Sequence, residues 1–241
     1  MRIAFLILLW CAALLATGSA LAQAGDAREC PPHGDATRAK VKQLNEAKAR
    51  LDDVSDDDVD DTVTMEGLSE PGDDRPRWQD GQGVEITAYV IDVRDGGAAS
   101  SNCHSAKSSE HDTILELAPT QDAVDRAHRV HAVVTPQWRQ AVAADRVDWS
   151  TGALRAHYLQ RWVVLRGWLL FNFEAAATSL HTAGLLGPDL ARATAWEIHP
   201  VTSIELQEDV LEQQALREIE RQQLGAGGAS GEPEGRFLGC R

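Results

Sequence analysis

The chain is poor in basic residues and in cysteine. Its 241 residues include 23 Lys and Arg against 37 Asp and Glu, which gives a formal net charge of −14. A general nucleic-acid binder needs a basic surface to displace the counterions of phosphates, so this balance argues against that class. Four Cys are too few for a small fold built on disulfide bonds. The length suffices for one substantial hydrophobic core or two small ones.

Several motifs that mark enzymes are also missing. The sequence contains no G-x-S-x-G nucleophile elbow and no P-loop. The glycine-rich stretch at 225–231 has no strand before it, so it does not read as a dinucleotide-binding turn. These absences favour binding over catalysis.

The first 24 residues have the layout of a secretory signal peptide. Met1 and Arg2 precede an apolar run over 3–15, and A-x-A cleavage patterns lie at 20–22 and 22–24. The alternative is an uncleaved membrane anchor, but the run is short for a span of about 20 residues. We therefore expect a periplasmic or secreted protein.

Three cysteines remain after cleavage, namely Cys30, Cys103 and Cys240. An oxidising compartment permits one disulfide and leaves one thiol over. The sequence does not decide which two residues pair, or whether any do.

Residues 25–82 are expected to hold a helical segment and an acidic linker. Apolar residues at helical spacing predict a helix over 37–51. The run DDVSDDDVDD at 52–61 indicates a solvated linker, and the Pro, Gly and Asp of 71–83 indicate turns.

Residues 83–206 carry the pattern of a mostly β domain. A phase slip in the first strand indicates a bulge, and Pro136 opens a helix over 136–146 between the third and fourth strands. Five strands with one helix at that place predict an OB-like Greek-key barrel; a generic small β-barrel is the alternative. The strands are expected at 84–93, 112–118, 129–135, 161–171 and 193–206.

A helix is expected over 207–223, followed by a flexible tail over 224–241. Its narrow apolar stripe is expected to pack back onto the barrel; the alternative is a protein partner. The stripe consists of Leu211, Ala215, Leu216 and Ile219.

Several stretches resemble a group of uncharacterised exported bacterial proteins that have an AWEIHPV-type strand near the C-terminal end. They are PGDDRPR at 71–77, NCH at 102–104, VTPQWR at 134–139, VDWSTGALR at 147–155, LRGWLLF at 165–171 and RATAWEIHPVTSIEL at 192–206. The resemblance covers roughly 70–206 and implies an OB-fold-like domain without a specific activity. It also implies a His soon after the fourth strand, where this chain has Glu174 and His181.

Two long loops, 94–111 and 172–192, are expected to meet at a common mouth of the barrel, because ligands of such barrels bind beside them. The predicted ligand-binding residues are His104, His111, Asp112, Glu197 and His199. Cys103 and His104 form a weaker candidate metal site, with zinc as the ion, although the usual spacing of zinc ligands is missing.

These observations favour an exported, non-enzymatic OB-like module that binds a small molecule, glycan, peptide or short oligonucleotide. One alternative is a metal-assisted hydrolase that uses Asp112, His104 or His111, and His199. Another is a structural envelope protein that recruits partners through its acidic N-terminal arm and C-terminal helix.

Overall fold

The computed structural model describes residues 30–123, 125–145, 147–183 and 189–227. The predicted signal peptide at 1–24 and Cys240 lie outside the described residues, as does the tail beyond residue 227. Five strands close into a barrel in the order β1-β2-β3-β5-β4. They are β1 Gly83–Asp95, β2 Thr113–Ala118, β3 Val130–Val134, β4 Trp162–Phe171 and β5 Trp196–Leu206.

Alternating side chains fill the barrel. Leu115, Leu117, Val130 and Ala132 belong to the buried core, while the polar residues between them lie on the other face of their strands. The expected bulge is present, because the β1–β2 register shifts between Val90 and Asp92. The bulge lets β1 pair with β4 along its first half and with β2 along its second half, which closes the sheet.

The α-helices are α1 Ala39–Lys48, α2 Met65–Ser69, α3 Pro136–Ala141, α4 Thr151–Tyr158, α5 Leu180–Ala183 and α6 Gln207–Gly227. The chain is therefore a mixed α/β protein, and the expectation of a mostly β fold was wrong. Two helices, α3 and α4, lie between β3 and β4 instead of one. Thr135 and Ser150 cap their N-termini by accepting backbone hydrogen bonds from Trp138 and Ala153.

The acids of the run at 52–61 mostly face solvent, as predicted, but the segment that continues to residue 70 is held against the barrel. Apolar residues between its acids are buried, and α2 contacts β1. Val59 also forms an isolated bridge with Gly83 at the start of β1. The buried anchors are Val54, Val63, Met65 and Leu68. Burial of these side chains stabilises the segment against the barrel, whereas the acids face solvent.

The N-terminal residues are bonded to the β1–β2 loop. Cys30 and Cys103 form a disulfide, which settles the pairing that the sequence left open among the described cysteines. Asn45 of α1 donates to Ser100 Oγ at 3.1 Å. At its other end α1 reaches the β4–β5 loop, where Lys40 lies over the ring of Phe173. Helix α1 thus connects the two long loops.

These loops emerge at opposite ends of β3. The β1–β2 loop ends at Thr113, which pairs with Val134 at the C-terminal end of β3. The β4–β5 loop ends where β5 begins, and parallel pairing places Glu197 beside His131, near the start of β3. The expectation of a common mouth was therefore wrong, because β3 and β5 run parallel.

Helix α6 begins directly after β5 and contacts β4 and β5. The apolar stripe does not pack on the barrel as expected, since Leu211, Leu216 and Ile219 are more than half exposed. A protein partner for this face stays a prediction. Among the described helices, none is both long and apolar enough to cross a membrane.

Candidate functional site

A row of ionisable side chains crosses three strands on the outer face of the barrel. Glu116 of β2 pairs in register with His131 of β3, which pairs with Glu197 of β5. Each lies between core residues in its strand, so alternation turns it away from the core. All three are nevertheless almost fully buried. Charged groups are buried at this level only where partners compensate them.

Three guanidinium groups surround Glu116. Arg94 and Arg126 donate to Oε1 at 2.8 and 2.9 Å, and Arg129 donates to Oε2 at 2.8 Å. Burial alone would raise the pKa of Glu116, but the hydrogen bonds from these arginines outweigh it and lower the pKa to about 2. Glu116 is therefore an ionised acceptor at neutral pH.

Glu197 is held by a second set of donors. Arg192 Nη1 lies 2.6 Å from Oε2, and Asn172 Nδ2 lies 3.1 Å from Oε1. Nδ1 of His199 lies 2.8 Å from Oε1. Burial opposes ionisation here as well, yet the charge of Arg192 and the hydrogen bond from His199 hold the pKa of Glu197 well below its usual range. Glu116 and Glu197 together contact four guanidinium groups, so this buried layer of ionisable side chains carries two excess positive charges.

His131 lies between the two carboxylates. Neither ring nitrogen has a partner among the described residues, and Nε2 is 4.0 Å from Glu116 Oε1. Burial, followed by the nearby charge of Arg192, lowers the pKa of His131 to about 3. The imidazole is therefore neutral at physiological pH. Its two buried nitrogens without hydrogen bonds among the described residues lower the stability of the fold.

His199 has one satisfied nitrogen and one without a partner. Since Glu197 is an ionised acceptor, Nδ1 of His199 must be the donor of their hydrogen bond. Nε2 has no partner among the described residues, and the side chain is 3% exposed. With the proton on Nδ1, Nε2 carries the lone pair and can accept a hydrogen bond.

His199 lines a cavity of about 380 Å³ between α1 and β4, which we call the α1 cavity. Its wall combines Ala47 and Leu51 with Trp168 and Leu170. The guanidinium of Arg50 lies 3.2 Å from the centroid of the Trp168 ring. The remaining lining residues are Glu46, Arg50, Asp52, Asp80, Gly81 and Leu169.

Charge at the cavity is predominantly negative. Arg50 is already paired with Asp52, donating from Nε at 2.6 Å. Glu46 and Asp80 therefore add negative charge that Arg50 does not compensate. A ligand with a hydrogen-bond donor would meet a favourable field here, whereas a carboxylate would be repelled.

The predicted metal pair is not available as predicted. The sulfur of Cys103 is bonded to Cys30, so it cannot act as a thiolate ligand. His104 is exposed and lies 3.6 Å from Asp35. Within the described ranges, no group of three or more His, Cys, Asp or Glu is arranged to hold a metal ion.

The predicted ligand-binding residues fall into two places. His111 Nδ1 lies 2.7 Å from Asp95, and its Nε2 lies 2.7 Å from the Ser105 carbonyl oxygen. The hydrogen bond to that carbonyl, with help from Asp95, raises the pKa of His111. His111 and the adjacent Asp112 sit at the β1–β2 loop, while Glu197 and His199 sit in the buried layer. Only the latter two were brought together as hypothesised.

The resemblance implied a His soon after the fourth strand, and the chain departs from it there, with Glu174 near the strand end and His181 farther along. Its Nδ1 lies 3.2 Å from Asp74 Oδ2, and both side chains are buried. This pair belongs to the packing of the β4–β5 loop against the segment before β1.

Sequence reasoning missed Glu116 and the arginines around it. The available signal was a charged residue between Leu115 and Leu117 in an otherwise apolar strand. A charge at such a position requires a partner of opposite sign. The arginines come from distant segments, so spacing alone could not identify them.

Comparison with known proteins does not assign this site. No protein-family model matches the chain, and no curated protein matches it.

Proposed function

We propose that the chain is an exported, OB-like binding module that holds a small molecule in the α1 cavity. One observation carries the proposal. His199 lines that cavity with Nδ1 fixed by ionised Glu197, while its buried Nε2 has no partner among the described residues. A buried polar atom without a partner is costly, and a ligand that donates to it removes that cost.

The OB-like part of the proposal is supported by the strand order and the helices after β3. The export part is supported by the signal-like residues 1–24 and by the disulfide between Cys30 and Cys103, since disulfides persist in oxidising compartments. Membership of the exported group with the AWEIHPV-type strand is part of the same proposal.

The cavity favours one of the ligand classes considered. Trp168 and Leu170 offer apolar surface, His199 forms part of the wall, and Glu46 and Asp80 add negative charge. This combination fits a small neutral or cationic molecule with an apolar body and a donor group. It disfavours an oligonucleotide, whose phosphates would meet carboxylates.

Three matched probes test the site, namely benzyl alcohol, benzylamine and benzoate. We expect the first two to shift the indole N–H resonance of Trp168, assigned with Trp168→Phe. Benzoate should bind at least about tenfold more weakly, because it lacks a donor and meets like charge. A benzoate affinity equal to the others, or no shift with any probe, would contradict the proposal.

The variant His199→Asn keeps a donor for Glu197 and removes Nε2. We expect it to weaken the two donor probes about tenfold, which corresponds to about 1.4 kcal/mol. His157→Asn, at an exposed position, is the matched control and should bind as the unmodified chain does. Circular dichroism checks that both variants fold.

A second function, hydrolysis, is favoured by the same pair of residues. A carboxylate that orients an imidazole while Nε2 lacks a partner is the arrangement of a general base. Hydrolysis of 4-nitrophenyl acetate that is lost in His199→Asn and kept in His157→Asn would support this function. Equal rates in both variants would remove it.

A further inference from the structure

A second cavity lies at the opposite end of β3 from the start of β5. It measures about 600 Å³ and is formed by the end of β1, the β1–β2 loop and the connection from α3 to α4. We call it the serine groove. The residues that the argument uses are Asp95, Ser108, Ser109, Arg139 and Trp149.

Charged groups at the serine groove already have partners. Asp95 Oδ1 lies 2.7 Å from Nδ1 of His111. Arg139 donates to the carbonyl oxygens of Ser109 and His111 and, at 3.1 Å, to the hydroxyl of Thr113. The nearby carboxylates of Asp95 and Asp112 act on the guanidinium of Arg139, and the carboxylate of Asp148 also lines the groove. An anionic ligand therefore gains little attraction here.

Uncharged hydrogen-bonding groups remain available. The hydroxyls of Ser108 and Ser109 are on exposed residues and make no side-chain hydrogen bond within the described residues, and the same holds for the indole N–H of Trp149. Trp149 is half-buried and packs against the barrel core, which fixes the position of its ring. The groove thus combines a rigid aromatic group with neutral donors and acceptors.

A sugar ring matches this combination. Its C–H face packs against an indole ring, and its hydroxyls exchange hydrogen bonds with serine hydroxyls and an indole N–H. A cavity of 600 Å³ lies in the range that encloses a small ligand. We propose that the serine groove binds a neutral glycan through Trp149 and the hydroxyls of Ser108 and Ser109. This site is separate from the α1 cavity and does not depend on it.

The test titrates the folded chain with maltotriose, cellotriose and chitotriose, and with trigalacturonate as the anionic counterpart. The readout is the indole N–H resonance of Trp149, assigned with Trp149→Phe. We expect at least one neutral trisaccharide to shift it, with trigalacturonate weaker by about tenfold. The absence of a shift with all three neutral sugars, or equal binding of trigalacturonate, overturns the proposal.

A double variant, Ser108→Ala with Ser109→Ala, removes exposed hydroxyls and should leave the fold intact. It is expected to weaken the bound trisaccharide about tenfold. The control Trp162→Phe lies on β4, outside the groove, and should leave binding unchanged. Wild-type affinity in the double variant also overturns the proposal. His199→Asn should not alter sugar binding, so failure here is distinguishable from failure at the α1 cavity.

Discussion

Arg192 Nη1 lies 2.6 Å from Glu197 Oε2, and both side chains are almost fully buried. The pair joins the β4–β5 loop to β5. Removal of either side chain would leave the other as an unpaired charge that is shielded from water. The pair therefore links the folding of a long loop to the ionisation of a single carboxylate.

Loss of Arg192 is expected to destabilise the chain strongly. Arg192→Met leaves Glu197 as a buried charge, which costs about 3–5 kcal/mol in free energy of unfolding. Arg38→Met breaks the exposed pair with Glu174 and should cost less than about 1 kcal/mol. Urea denaturation measures both. Adding Glu197→Gln to Arg192→Met should recover part of the loss; if the two arginine variants are equally stable, the buried pair is not the cause.

Acid should weaken the fold through His131. The folded chain holds the pKa of His131 at about 3, whereas the ordinary value is 6.5. Between these values the unfolded chain binds a proton that the folded chain does not, so stability is lost as pH falls from 6.5. The loss is about 1.4 kcal/mol per pH unit at most. The lowered pKa of Glu116 adds to it only below 4.5.

The variant His131→Gln isolates this effect. Its free energy of unfolding should fall less than that of the unmodified chain between pH 6.5 and pH 4.5. His157→Gln, at an exposed position, should follow the unmodified chain. Equal pH dependence in all three proteins would show that His131 is not the source of the acid sensitivity.

Substitution by alanine is expected to change stability in opposite directions at two glycines. A Cβ at Gly167 would meet the Pro200 carbonyl oxygen and lie 2.5 Å from Ile198 Cγ2, so Gly167→Ala must push β4 away from β5. We expect a loss of about 1–3 kcal/mol in stability, as for overpacked cores. At Gly152, in the first turn of α4, a Cβ meets nothing within 4 Å. Gly152→Ala should be stabilising by about 0.5–1 kcal/mol in thermal denaturation.

Removal of the disulfide should loosen α1 more than the barrel. The bond closes a chain segment with a sequence separation of 73. Replacing Cys30 and Cys103 by Ser is expected to cost about 4 kcal/mol in the chain-entropy model. Hydrogen exchange should accelerate in α1 before it does in β2. Reductant added to the unmodified chain should give the same pattern, and uniform acceleration would argue against a local role.

Much of the fold could be predicted from local patterns. The five strands lie within a few residues of their predicted bounds, because alternating apolar residues reflect the two faces of a strand. The bulge in β1 was also confirmed, since it depends on residues close in sequence. The acidic segment was predicted only in part. Its many acids indicate a solvated linker, whereas four buried apolar side chains among them hold the segment against the barrel.

The site was harder to predict, because it depends on long-range register. The hydrogen bond between Glu197 and His199 follows from their spacing of two along one strand. Arg192 and the α1 wall could not be inferred, since they depend on how a loop and a helix fold back over β5. Likewise, the separation of His111 from His199 follows from the parallel pairing of β3 with β5, which places the two long loops at opposite ends of β3.

The contact between β3 and β5 is shorter than that of any other strand pair in the barrel. It consists of two register positions, His131 with Glu197 and Ala132 with Ile198, whereas β4 pairs with β5 at eight. Because these strands share so few register positions, β3 and β5 should separate before the other strand pairs of the barrel do. Transient separation of the two strands would admit solvent to Glu116 and Glu197. The rate of this opening would then limit how quickly the two carboxylates exchange protons.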